Sequence, residues 1–106
     1  MAKAKELCFT GDMVNAAEAK AIGLVDAVVP AAELVAKVKE LAARIVANGP
    51  LAVAACKRLI HQGQSMPLEA SLVMEQQAFG LLFASQDQKE GMAAFVEKRP
   101  AKFTGR

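Results

Sequence analysis

The residues able to do chemistry are few and scattered. His61 is the single histidine, and with Lys57 and Arg58 it makes a basic cluster. If the cluster ends a helix, its cations complement the negative end of the helix dipole. The alternative is contact with an anion. Ser65 follows His61 closely, but no acid lies nearby to orient the imidazole, so a Ser-His-Asp arrangement is poorly supported. Glu69 and Glu75 are six apart and fall on different helix faces. Glu90 and Glu97 are seven apart and can share one. General acid–base work and plain solvation are both open to these carboxylates, and Glu90 also suits the positive start of a helix. Cys8 and Cys56 read as reduced, buried thiols of a cytosolic chain. Two cysteines make no disulfide framework, and with one histidine they supply too few ligands for a metal. No glycine-rich phosphate loop and no nucleophile elbow occurs.

Four of the last nine residues are basic (Lys98, Arg99, Lys102 and Arg106), and no acid follows Glu97. That end is either simply solvated or an anion site for a phosphate-bearing ligand. The five phenylalanines with no tryptophan or tyrosine give no stacking platform, which weighs against a nucleic-acid binder.

These residues must be positioned by helices. The 106-residue chain is 54% apolar and 23% charged, with a formal net charge of +2, so collapse is favoured over disorder. Its apolar mass is mainly Ala, Val, Leu and Met, which suits helices better than sheets. The uncharged stretch 45–56 contains Asn48-Gly49-Pro50 and predicts no membrane span. The start, with Glu at position 6, predicts no secretory signal.

Turn signals divide the chain into blocks. The first helical block is 3–9, closed by Thr10-Gly11-Asp12. The second begins at Asn15, a cap with Glu18 three residues on, and closes at Gly23, where a left-handed residue costs glycine little. Residues 24–29 read as a short strand or extended segment, ending at Pro30. A lone strand would lack a ladder partner, so its amides and carbonyls must pair elsewhere. Leu34, Val38, Leu41 and Ile45 put one apolar face on a helix over about 32–47. Pro50 suits the first position of a helix running to Gly63. The next block spans about 67–84. Its second half, 78–84, is apolar almost all round and predicts burial or a partner. The last block starts after Ser85 or Asp87, both good caps, and ends before Pro100.

With the elements in place, a longer pattern stands out. Lys5-Glu6-Leu7-Cys8-Phe9-Thr10-Gly11-Asp12, then 16–26 and Val28-Val29-Pro30, resemble a passage of the crotonase superfamily, the enoyl-CoA hydratases and isomerases. Residues 49–57, 75–79 and 83–99 continue the resemblance in register over essentially the whole chain. It implies a mainly α fold: five or six short helices and one short extended segment, as in the C-terminal helical, trimer-building part of the crotonase fold. The N-terminal spiral of ββα units is absent. Residues 1–30 would flank the core (helix, helix, short strand), and 31–106 would form the helical oligomerisation region. Met1 followed directly by a mid-family motif implies a partial chain.

The same resemblance implies a parent enzyme that adds water to a 2-enoyl-CoA in acyl-CoA and fatty-acid metabolism, or a related isomerase. Its oxyanion amides and acids lie upstream of these residues, so no catalytic residue is named and the chain alone is expected to be inactive. Phe79 and Lys98 match the positions that reach coenzyme A. The coenzyme A thioester is substrate, and no cofactor or metal is expected. The resemblance further implies an acyl-CoA and other copies of the chain as partners, in a trimer, a hexamer or a swapped assembly. Neither nucleic acid nor membrane is an expected partner, and a cytoplasmic location is expected. The competing expectation is a stand-alone, self-associating helical interaction module without a ligand.

Overall fold

A computed structural model describes residues 2–106. Among them are six α-helices and no strand: α1 (Ala2–Thr10), α2 (Ala16–Ala21), α3 (Leu34–Val46), α4 (Pro50–Gly63), α5 (Leu68–Leu82) and α6 (Gln86–Glu97). A 3₁₀ turn, Ala31–Glu33, leads into α3. The chain divides into two compact units, Met1–Val38 and Lys39–Arg106.

In the first unit, Asn15 caps α2 as its position predicts. Its Oδ1 accepts the amide of Glu18 at 2.9 Å. Gly23 closes the helix at φ +74, a conformation that a side chain would strain. Lys3 of α1 bridges Glu6 at 2.9 Å and reaches Glu18 of α2 at 3.8 Å. Of the two forms expected for 24–29, the strand is not found. Leu24 and Val25 instead turn their amides back to the Ala19 carbonyl, at 2.8 and 3.4 Å, and 27–30 has no regular structure. The physical reason is the missing ladder partner: two of the amides find a helix-end carbonyl instead.

The second unit is organised by α4 and α5. Pro50 is the first residue of α4 and Gly63 its last. The start of α4 (Leu51, Ala54, Ala55) faces the end of α5 (Ala78, Leu81, Leu82), while Gly63 faces Ser71, so the two helices run antiparallel. They approach closely at that end: a Cβ on Gly63 would lie 2.7 Å from Ser71 Oγ. Ser85 then joins α5 to α6 with one hydroxyl. It donates to the Leu82 carbonyl at 2.7 Å and accepts the Gln88 amide at 3.1 Å. Ser85, not Asp87, is therefore the cap of α6.

The interior is very small. The buried apolar residues are Ala19, Ala78 and Ala94. Leu34, Val38, Leu41 and Ile45 form the predicted face on α3, but all are exposed. Cys8 and Cys56 are free thiols, yet exposed rather than buried as their apolar settings suggested. An apolar neighbourhood in sequence buries a side chain only where a second surface covers it, and among the described residues the only buried apolar side chains are those three alanines.

Candidate functional site

The residues of greatest chemical interest gather where α4 begins, α5 ends and the chain returns after α6. Asp87, in the first turn of α6, is 6% exposed and is the buried charged residue among those described. Its Oδ1 accepts the Thr104 amide at 2.7 Å, and its Oδ2 accepts the Gly105 amide at 2.8 Å. In return, the Arg106 carbonyl accepts the amides of Gln86 and Asp87, at 2.6 and 3.0 Å. The orphan amides at the start of α6 and those of the terminal segment thus satisfy each other.

One turn along α6, Glu90 makes a second attachment. It takes a two-point hydrogen bond from Arg99, Nη1 to Oε1 at 2.7 Å and Nη2 to Oε2 at 2.9 Å. The Lys102 amide adds a third donor at 2.8 Å. Glu97 also engages the guanidinium, through Arg99 Nε. The hydrogen bonds from Arg99, then that from Lys102, hold the Glu90 carboxyl well below its usual range, at about 2. The hydrogen bonds to Glu90, then that to Glu97, raise the Arg99 guanidinium above its ordinary value. Of the four terminal cations, Arg99 is thus paired with acids while its side chain stays 37% exposed.

Between these two attachments, the Phe103 ring settles beside two glycines. A Cβ on Gly91 would lie 3.4 Å from the ring, and one on Gly49 3.6 Å away. Phe103 is also one wall of an apolar cleft of about 330 Å³, with Phe79, Phe83, Leu82, Met92 and Leu51 around it. Phe79 is 63% exposed, and its ring meets Phe83 edge-on with centroids 5.1 Å apart. The apolar run 78–84 is accordingly not core: Ala78 is buried, while Phe79, Leu81 and Phe83 are exposed.

Lys98 stands elsewhere in this unit. It follows the last residue of α6 at φ 54, ψ 39, the single non-glycine residue with positive φ among those described. Its amide donates to the Phe95 carbonyl at 3.3 Å, and the next amide, of Arg99, donates to the Ala94 carbonyl at 3.0 Å. This pair of bonds is a Schellman cap, with lysine where glycine is usual. Lys98 is exposed and is not among the residues lining the Phe79 cleft. The structure therefore puts the two expected ligand contacts in one unit without bringing them into a single pocket.

Other candidates are less organised. His61 lies in the last turn of α4, consistent with complementing the helix dipole. Glu69 occupies the first turn of α5. Among the described residues, no group of three His, Cys, Asp or Glu side chains could hold a metal ion. No helix there is long and apolar enough to cross a membrane.

Sequence reasoning missed Asp87 and Phe103. Asp87 offered itself only as a cap, and the signal for its real partners lies 17 and 18 residues away, beyond any helical period.

Comparison with known proteins finds relatives along the whole chain. A family profile described as enoyl-CoA hydratase/isomerase matches residues 1–106. A crotonyl-CoA hydratase of Syntrophomonas wolfei is 49% identical over 100 residues, 94% of this chain and 38% of that protein. A short-chain-enoyl-CoA hydratase of Clostridium acetobutylicum is 44% identical over 99 residues, 93% of this chain and 38% of its own length. The crystal structure of an enoyl-CoA hydratase from Bacillus anthracis superposes with a TM-score of 0.96 at 42% identity, covering 100% of this chain and 41% of that one. The chain thus spans about two-fifths of the length of these relatives, and its helices match the C-terminal helical part of the crotonase fold.

Proposed function

The chain belongs to the enoyl-CoA hydratase/isomerase family, and from that premise we propose that it is the oligomer-forming, coenzyme-A-contacting part of an enoyl-CoA hydratase. The complete enzyme adds water across the double bond of a 2-enoyl-CoA, a step of acyl-CoA and fatty-acid metabolism in the cytoplasm. These residues contribute binding and assembly, not the chemical step. Lys98 offers its ammonium to the phosphates of the coenzyme A nucleotide, and Phe79 offers a ring as an apolar wall.

The observation that carries this reading is the treatment of the two terminal cations. Arg99 is fully engaged by Glu90 and Glu97, whereas its neighbour Lys98 is exposed at the head of a strained turn. Strain kept at one residue points to a use for that residue. The cleft beside Phe79 has a mainly apolar lining, and its one carboxylate, Asp87, is engaged by a backbone amide on each oxygen. A hydratase needs a free acid or base within reach of water and preorganised amides at the thioester oxygen.

A second reading is favoured by the exposed apolar faces of α3 and α5: a self-associating helical module without a ligand. Titration of crotonyl-CoA into the purified chain separates the two. Binding that weakens in Lys98→Ala, with no turnover, supports the first. Oligomers by sedimentation with no crotonyl-CoA binding support the second. Turnover that a substitution within the chain abolishes would overturn the division of labour proposed here.

A further inference from the structure

Lys98 holds a left-handed backbone conformation that is strained for an L-residue, and the Schellman hydrogen bonds that accompany it are shared by caps with glycine. In such caps an apolar contact commonly ties the residue after the left-handed one back to the helix. Here the residue after it is Arg99, and the contact is ionic. The guanidinium folds back over α6 to Glu90, nine residues earlier, and grips both carboxylate oxygens at 2.7 and 2.9 Å. Glu90 is also the acceptor for the Lys102 amide. The peptides on both sides of the turn are therefore anchored, the near side by α6 and the far side by Glu90.

We infer that Glu90 and Arg99 are positioning residues for Lys98: their two-point pair holds the turn left-handed and so fixes where the Lys98 ammonium stands. The inference deepens the reading of Lys98 as a phosphate contact and rests on it for its ligand, though not for its geometry. A two-point guanidinium–carboxylate pair carries directional information that a lysine in place of Arg99 would lack. The depressed Glu90 carboxyl accompanies this grip: the pair stays charged well below the ordinary carboxylate range. Glu97 adds to the grip but lies next to Lys98 in the chain, so the long-range constraint comes from Glu90.

Two measurements on the 106-residue chain test this. The first needs no ligand. The backbone coupling and carbon shifts of Lys98 report the sign of its φ by nuclear magnetic resonance. In Glu90→Gln and in Arg99→Lys the left-handed signature should be lost or averaged. A left-handed Lys98 retained in both variants overturns the inference. The second uses adenosine 3′,5′-bisphosphate as probe. Glu90→Gln should weaken its binding about threefold, the size of an exposed charge interaction, and should have no further effect once Lys98 is alanine. Equal weakening in the Lys98→Ala background means that Glu90 does not act through Lys98, which also overturns it. If the unsubstituted chain does not bind the probe, the coenzyme A reading fails, and the coupling measurement still decides the positioning role.

Discussion

Asp87 holds Thr104 and Gly105 by their backbone amides, one on each carboxylate oxygen, at 2.7 and 2.8 Å. Two consecutive amides on one buried carboxylate fix the course of the chain, because no rotation keeps both bonds. Gly105 reaches this point at φ +79, and a Cβ there would lie 3.2 Å from Cγ of the Pro50 ring.

Asp87→Ala removes both acceptors and leaves two amides to find water. Hydrogen bonds to charged groups contribute ~1.5–3 kcal/mol, and the variant should lose about that much in urea denaturation. Amide exchange at Thr104 and Gly105 should rise together. Unchanged protection at both would show that Asp87 is not the anchor.

Glu90 sets a pH dependence whose sign follows from its lowered carboxyl. Folding holds the carboxyl at about 2, against an ordinary value of 4.5. Its contribution is therefore complete above the ordinary value and disappears as pH falls from there through about 2. The difference in melting temperature between the natural chain and Glu90→Gln should be constant near neutrality and close as pH falls toward 2. Added salt should narrow it at neutral pH, since the pair is partly exposed.

Lys98→Gly should stabilise α6 while impairing the site. Glycine relieves the left-handed strain, for a gain of ~1 kcal/mol, and removes the ammonium. A higher melting temperature with weaker crotonyl-CoA binding is the expected result. A lower melting temperature would mean that the turn is not strained.

Gly63→Ala tests the close approach of α4 and α5. The new methyl would sit 2.7 Å from Ser71 Oγ, so the hydroxyl must turn to another rotamer, and a loss of up to about 1 kcal/mol is expected. Removing the obstructing oxygen in a Gly63→Ala, Ser71→Ala double variant should recover most of it. Simple additivity of the two substitutions would place the strain elsewhere.

Local structure was legible from the residues: Asn15, Ser85 and Pro50 mark helix starts within a residue, and Gly23 marks an end. These devices act within one turn, so short spacing reveals them. The extent of burial was not legible, because Leu34, Val38, Leu41 and Ile45 announce a face without naming what covers it. The same limit hid the site's framework. Arg99 and Glu90 are nine apart, and Asp87 and Gly105 are 18 apart, so only the fold brings them together. Lys98 and Phe79 came from family resemblance. Spacing alone would have chosen neither, although an exposed phenylalanine beside a cleft and a lysine at positive φ draw attention once the backbone is known.

An interior of Ala19, Ala78 and Ala94 has a calorimetric consequence. Melting this chain alone would newly wet less hydrocarbon than is usual for its length, so its heat-capacity increment should fall below the usual ~12–15 cal/mol/K per residue. If the exposed apolar faces dock against another copy, the melting temperature should rise with protomer concentration.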